Sequence, residues 1–150
     1  MAIRLSRSAL KEPAMFTLTR TVEAPPAQVV RSFTEPEYFA RWFVAEGFTT
    51  PADRVVIDAR PGGTISAVFL SQEDGTQIPF SLTFGELELP STVVIHLSGP
   101  DEVVTVTLRE IATDRTELTY HSTGLTPEQQ AEIESGVSHM LDLLADSHRS

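Results

Sequence analysis

One arginine lies on a stretch that is otherwise apolar on one side, and it is the first candidate for chemistry. Arg20 shares the two-residue alternation of Leu18 and Val22 in a predicted strand, which places its guanidinium on the buried face. A buried guanidinium needs an anionic partner, so Arg20 is expected to bind a ligand carboxylate or to pair with an internal acid such as Glu110. An arginine near a strand end can also extend its head group to solvent. A ligand-binding role and a structural role therefore both stay open.

Aromatic side chains form the second group of candidates. Phe39, Trp42 and Phe43 follow one another at helical spacing, and Trp42 is the only tryptophan. These rings are expected either to roof a cavity and stack on a flat ligand or to form ordinary core. Tyr120 shares the strand face of Leu118, so its hydroxyl is expected to point inward and to need a hydrogen-bond partner, which a ligand or a water would supply.

The histidines and serines predict no metal site and no nucleophile. No His-x-x-x-His or His-Glu-x-x-His spacing occurs, and the four histidines (His96, His121, His139 and His148) are expected at the surface. The serines have no base at a motif spacing, and Pro61-Gly62-Gly63 predicts a turn rather than a phosphate loop. The sequence therefore predicts no metal and no cofactor, and it identifies no catalytic residue.

Composition excludes several classes of function. The 150 residues include 11 Lys and Arg against 21 Asp and Glu, a net charge of −10, so a nucleic-acid backbone would be repelled. Without cysteine there is no disulfide, no thiolate nucleophile and no cysteine-based zinc site. No apolar stretch reaches the ~18 residues of a membrane span, and residues 1–11 lack the apolar centre of a secretory signal. These features favour a cytoplasmic protein.

The first part of the chain predicts a strand followed by two short helices. The strand is expected over residues 15–22, where apolar residues alternate with threonines. The first short helix starts after Pro25-Pro26, whose fixed φ suits a first helical turn. The second short helix is expected to start at a capping box of Thr34 and Glu37 and to end at Gly47.

The rest of the chain predicts a run of strands and one long helix. Strands are expected over 54–59, 64–70, 77–89, 92–97, 102–110 and 116–122, and the short turns between them indicate an antiparallel meander. Thr126 and Gln129 predict a capping box, which opens a long amphipathic helix that must bury one face. A curved sheet is the natural receptor for that face.

This order of elements predicts an α+β helix-grip fold, in which the sheet wraps around the last helix. Residues 1–14 are expected to form a flexible extension, and residues 15–150 a single domain. Twist and curvature are expected to leave a small-molecule cavity between sheet and helix, with Trp42 and Phe43 near its mouth. The inward residues predicted to contact a ligand are Phe69, Phe80, Phe84, Ile95, Tyr120, Val137, Met140, Leu141 and Leu144.

Short motifs along most of the chain resemble those of the activator of heat-shock protein 90 ATPase homology family. That family belongs to the START-like, or SRPBCC, superfamily, whose fold is also described as Bet v 1-like. The motifs that carry the resemblance are Arg20-Thr21-Val22-Glu23-Ala24-Pro25, Thr34-Glu35-Pro36-Glu37, Arg41-Trp42, Asp58-Ala59-Arg60-Pro61-Gly62-Gly63, Thr105-Val106-Thr107 and Thr116-x-Leu118.

The resemblance implies a fold and a cavity rather than one activity. Members of the family range from co-chaperone domains to ligand carriers, and related proteins of the superfamily act on polyketides. One departure affects the cavity: where the family often has Gly-Trp in the last helix, this chain has Gly136-Val137. A smaller side chain at Val137 would leave a larger cavity unless other side chains fill the space.

The leading hypothesis is a non-enzymatic domain that binds a small apolar or aromatic molecule. The first alternative is an enzyme of the polyketide cyclase or dehydratase type, which would use Arg20, Tyr120 or an inward Glu110 as its polar groups. The second alternative is a chaperone-interaction module. A homodimer also remains open, whereas nucleic acid and membrane spans are not expected as partners.

Overall fold

The computed structural model describes residues 14–97 and 102–148, and eight antiparallel strands form one sheet. The sheet order is β1-β8-β7-β6-β5-β4-β2, and β3 also pairs with β4. The predicted extension lies outside the described residues except for Ala14. The strands are β1 (Ala14–Val22), β2 (Phe48–Thr49), β3 (Val56–Ile57), β4 (Thr64–Ser71), β5 (Gln77–Glu88), β6 (Thr92–Leu97), β7 (Glu102–Ala112) and β8 (Arg115–Leu125).

The predicted strand over 54–59 is wrong in its extent. The strand is limited to Val56 and Ile57, because Ala52–Arg54 form a turn of 3-10 helix before it and the turn to β4 begins at Asp58, whose carbonyl accepts from the Arg60 amide over 2.9 Å. The last two strands are longer than predicted and meet at a tight turn. Asp114 adopts a φ of 60° there, a conformation that aspartate tolerates better than most residues. The predicted turn over 99–101 lies outside the described residues.

The helices are α1 (Pro26–Val29), α2 (Arg31–Thr34), α3 (Pro36–Trp42) and α4 (Pro127–Ser147). The first predicted short helix is therefore two single turns joined at Val30. The predicted capping box at Thr34 is wrong, since its hydroxyl donates back to the Val30 carbonyl over 3.3 Å. Glu35 takes the N-cap position of α3 instead, because Pro36 favours an extended conformation in the residue before it.

The capping box of the long helix is confirmed. The Gln129 amide donates to the Thr126 hydroxyl over 3.1 Å, and the Gln129 side chain accepts from the Thr126 amide over 2.9 Å. The helix packs chiefly against β1 and α3, where Leu141 and Leu144 are fully buried. This position confirms the predicted helix-grip architecture. In the described ranges, none of the helices has the length and apolar character needed to cross a membrane.

The end of the long helix is fixed by a histidine that the sequence placed at the surface. His148 is buried, and its Nε2 atom shares a hydrogen bond of 2.7 Å with the Ser32 hydroxyl. Burial lowers the pKa of His148, and the positive charges of Arg41 and Arg31 lower it further. The surface prediction was wrong because Ser32 in α2 and the Tyr38 ring in α3 lie against His148, a long-range contact that sequence spacing alone does not reveal.

Candidate functional site

A cavity of about 1070 Å³ opens between the inner face of the sheet and the middle of α4. It forms because α4 packs chiefly against β1 and α3, which leaves the inner faces of β4 to β7 only partly covered. The segment after α3 closes one side. The lining residues are Trp42, Phe43, Val44, Ala45, Glu46, Gly47, Phe48, Phe69, Pro79, Phe80, Ser81, Leu82, Ile95, Leu97, Glu102, Val104, Tyr120, Glu132, Ile133, Ser135, Gly136, Val137, His139 and Met140.

The predicted ligand contacts divide into two groups. Those that line the cavity are Trp42, Phe43, Phe69, Phe80, Ile95, Tyr120, Val137 and Met140. Those that do not are Arg20, Phe39, Phe84, Leu141 and Leu144. The last four of these are buried core residues that pack behind the cavity wall. Alternation along a strand identifies the inward face correctly, but it does not distinguish a residue packed by its neighbours from one that faces empty space.

Arg20 holds the long helix rather than facing the cavity. Its Nε atom donates to Asp142 Oδ1 over 2.7 Å, and its Nη2 atom donates to the Ser138 hydroxyl over 2.7 Å and to the Ser138 carbonyl over 3.0 Å. The predicted pairing with Glu110 is wrong, because Glu110 is exposed near the end of β7 and Arg20 binds Asp142 instead. Arg20 therefore has a structural role, with Asp142 rather than Glu110 as its acidic partner.

Three phenylalanines form one wall of the cavity. The Phe69 and Phe80 rings stack with centroids 4.3 Å apart, and Phe43 lies 5.4 Å from Phe80 and 6.1 Å from Phe69. All three side chains are only partly buried, so ring surface remains available on the cavity side. Such surface can stack on a flat or apolar molecule.

Trp42 is fixed at the edge of this wall. Its indole nitrogen donates to the Ser32 carbonyl over 2.8 Å, and its ring meets Phe39 and Phe43 edge to face. The side chain is buried and cannot swing freely. Trp42 therefore presents one fixed edge of its ring to the cavity.

A buried carboxyl group, which the sequence did not single out, also lines the cavity. Glu102 is 2% exposed, and its Oε2 atom accepts a hydrogen bond of 2.6 Å from the Ser122 hydroxyl. Burial raises the pKa of Glu102, and the bond from Ser122 offsets part of that effect. The missed signal was the alternation that Glu102 shares with Val104 and Val106, which places all three on the inner face.

The Tyr120 hydroxyl belongs to the same polar region. Tyr120 is 6% exposed, and no hydrogen bond from the described residues reaches its hydroxyl group. Burial raises the pKa of Tyr120, and the charge of Glu102 raises it further. Two inward polar groups on neighbouring strands thus face an otherwise apolar space, an arrangement suited to hydrogen bonding with a bound molecule.

The cavity mouth is polar and acidic. Glu46, Glu132 and His139 are exposed at its edge, and Gly136 on α4 has open space on its side-chain side. Within the described ranges, neither arginine nor lysine lines the cavity. In the same ranges, no group of three or more acidic or histidine side chains is arranged to hold a metal ion.

Comparison with known proteins identifies relatives of the whole domain. A family model described as Activator of Hsp90 ATPase homolog 1-like protein matches residues 23–148. A crystal structure of a Chromobacterium violaceum protein is 26% identical with a TM-score of 0.77, covering 92% of this chain and 99% of that chain. A Nitrosomonas europaea protein is 23% identical with a TM-score of 0.74, covering 88% and 92%. The AHSA1 protein of Silicibacter pomeroyi is 21% identical with a TM-score of 0.74, covering 89% and 96%. Curated proteins give no match.

Proposed function

The chain belongs to the Activator of Hsp90 ATPase homolog 1-like family of the START-like superfamily, and from this premise we propose that it binds a small apolar or aromatic molecule in its cavity. The observation that carries the proposal is the cavity of about 1070 Å³, whose wall includes the stacked Phe43, Phe69 and Phe80 rings. Ligand pockets for small molecules commonly measure roughly 300–1,000 Å³ and are mostly apolar with a few polar groups. The family supplies a ligand-binding fold, and the size and lining of the cavity support its use here.

Val137 gives the sharpest test, because it lies on the cavity side of α4. Val137→Trp is expected to weaken binding of the neutral fluorescent probe N-phenyl-1-naphthylamine about ten-fold or more, since the indole would occupy the space of the probe. The free energy of unfolding should change by less than about 1 kcal/mol, because the added ring has room. Probe titration and urea unfolding measure the two effects.

The matched control is Val56→Trp, which adds the same ring at a position 66% exposed on β3. Probe binding to this variant should equal that of the unmodified protein. A loss of several kcal/mol on Val137→Trp would show that no spare volume exists beneath the helix. Unchanged probe binding by Val137→Trp would place the probe elsewhere.

Trp42 supplies an internal reporter for the same site. We expect N-phenyl-1-naphthylamine to quench the Trp42 emission in a saturable way, because the indole is fixed at the cavity edge and is the only tryptophan in the chain. The midpoint of quenching should match the midpoint of probe emission. Probe binding with no change in Trp42 emission would contradict a site at this cavity.

The pair of polar groups on the inner wall favours a second candidate function. Glu102 is an acid with a raised pKa, and the Tyr120 hydroxyl receives no hydrogen bond from the described residues. A cyclase or dehydratase would use groups of these two kinds to move a proton. Product formation from a bound polyketide, lost on Glu102→Gln and on Tyr120→Phe, would establish this activity. Binding without turnover would leave the carrier function. A chaperone contact and a homodimer remain predictions.

A further inference from the structure

The charged side chains around the cavity have one sign. Glu102 lies on the inner wall, and Glu46 and Glu132 lie at the mouth. Arginine and lysine do not occur in the lining that the described residues form, and His139 is its only basic side chain. A ligand carboxylate that entered would lose its hydration and meet negative charge without a fixed cation to compensate. The lining thus disfavours anionic ligands.

The inner wall nevertheless offers hydrogen-bonding groups. Ser122 occupies Glu102 Oε2, while Oε1 accepts no hydrogen bond from any described residue. The Tyr120 hydroxyl, on a side chain 6% exposed, also lacks a described partner. Buried polar groups are rarely left without partners, so an apolar ligand that offered nothing in return would leave both of them unsatisfied. A ligand with a donor group would satisfy them.

Building on the proposed function, we propose that the cavity selects apolar or aromatic molecules that carry a hydrogen-bond donor, as an amine or a hydroxyl, and rejects carboxylates. The donor would bind Glu102 Oε1, and the Tyr120 hydroxyl on the neighbouring strand would bind a second polar group of the ligand or a water. The aromatic wall of Phe43, Phe69 and Phe80 would hold the apolar body. An amine should bind most tightly, because its positive charge would form a charge-assisted hydrogen bond with a buried carboxylate.

Glu102 and the mouth glutamates contribute in different ways. Glu46 and Glu132 are exposed, so salt screens their attraction for a cation, as it does for the net charge of −10. Glu102 is buried beside Ser122, and its interaction with a ligand should persist at high ionic strength. A preference for the amine over the carboxylate that remains at high salt is therefore due to Glu102 on the inner wall rather than to the glutamates at the mouth.

The test uses three ligands that share one ring system and differ only in the polar group. They are 1-naphthylmethylamine, 1-naphthalenemethanol and 1-naphthoate, titrated calorimetrically into the full chain at low and at high salt. We expect the amine and the alcohol to bind at least about ten-fold more tightly than the carboxylate, with the amine first. The difference in affinity between the amine and the carboxylate should become smaller at high salt without disappearing.

Two variants then assign the selectivity to a residue. Glu102→Gln should weaken amine binding about ten-fold and strengthen carboxylate binding, because the charge is removed while the side chain keeps its size. Glu132→Gln, the matched change at the mouth, should have a smaller effect that disappears at high salt. Thermal melts check that both variants are folded.

Each outcome decides between the two proposals. Equal affinity for the three ligands, or a preference for the carboxylate, would overturn the selectivity while leaving a binding domain. Selectivity that survives Glu102→Gln unchanged would overturn the role of the inner wall. If neither the three ligands nor N-phenyl-1-naphthylamine bind, the proposed function fails together with the selectivity.

Discussion

Leu141→Ala is expected to lower the free energy of unfolding by about 2–5 kcal/mol, the range for a fully packed leucine in a core. Leu141 is completely buried on α4 and does not line the cavity. Its neighbours have little freedom to close the gap, so the variant would lose both the transfer energy of the methyl groups and the contacts around them. Urea unfolding followed by circular dichroism measures the change.

Val137→Ala is the comparison on the same helix. Val137 faces an existing cavity, so removing its methyl groups enlarges empty space rather than creating a new void. We expect a loss of about 1 kcal/mol or less. Equal losses at the two positions would show that Val137 is packed as tightly as Leu141 and that the cavity is filled.

Glu102→Gln is expected to stabilise the protein at neutral and alkaline pH. Glu102 has its pKa raised by burial from the ordinary value of 4.5, so the folded state holds its proton more tightly than the unfolded state does. Below pH 4.5 both states are protonated and the carboxyl carries no penalty. As pH rises from 4.5 through the folded pKa, the unfolded state ionises first and stability is lost. Glutamine removes that loss and still accepts from Ser122.

The measurement is the free energy of unfolding of both proteins from pH 4 to pH 8. The difference should be small at the acid end, grow with pH and reach about 1–3 kcal/mol, or roughly 2–4 °C in Tm for each kcal/mol. Glu110→Gln is the control, because Glu110 is an exposed carboxylate on the same strand and its loss should change stability little. A destabilised Glu102→Gln at pH 8 would mean that the ionised carboxylate is stabilised by partners.

The fold could be predicted because its strongest signals are local. Alternating residues in β1 and the capping box of Thr126 and Gln129 each depend on neighbours within a few positions, and both elements formed where expected. The Thr34 capping box failed for an equally local reason, since Pro36 constrains the residue before it. Local rules compete, and the covalent constraint of proline outweighed a side-chain hydrogen bond.

The site could be predicted only in part because it depends on distant contacts. Alternation placed Tyr120 and Ile95 on the inner wall, but it treated the fully packed Leu144 in the same way. The partner of Arg20 is Asp142, more than a hundred positions away, and no spacing rule links the two. Glu102 was missed because a glutamate at a strand start is usually solvated. Its burial depends on the neighbouring strand that supplies Ser122.

The sheet order also constrains the time at which the cavity can exist. Among the strands that the structure describes, β1 pairs only with β8, and the bonded residues Thr17 and His121 are 104 positions apart. Closing so long a loop is entropically slow, and β8 must leave the ribosome before β1 finds its partner. The α4 wall of the cavity is made later still. The full cavity therefore exists only after α4 has been synthesised, so a ligand would slow unfolding of the folded domain and cannot template the earlier strands.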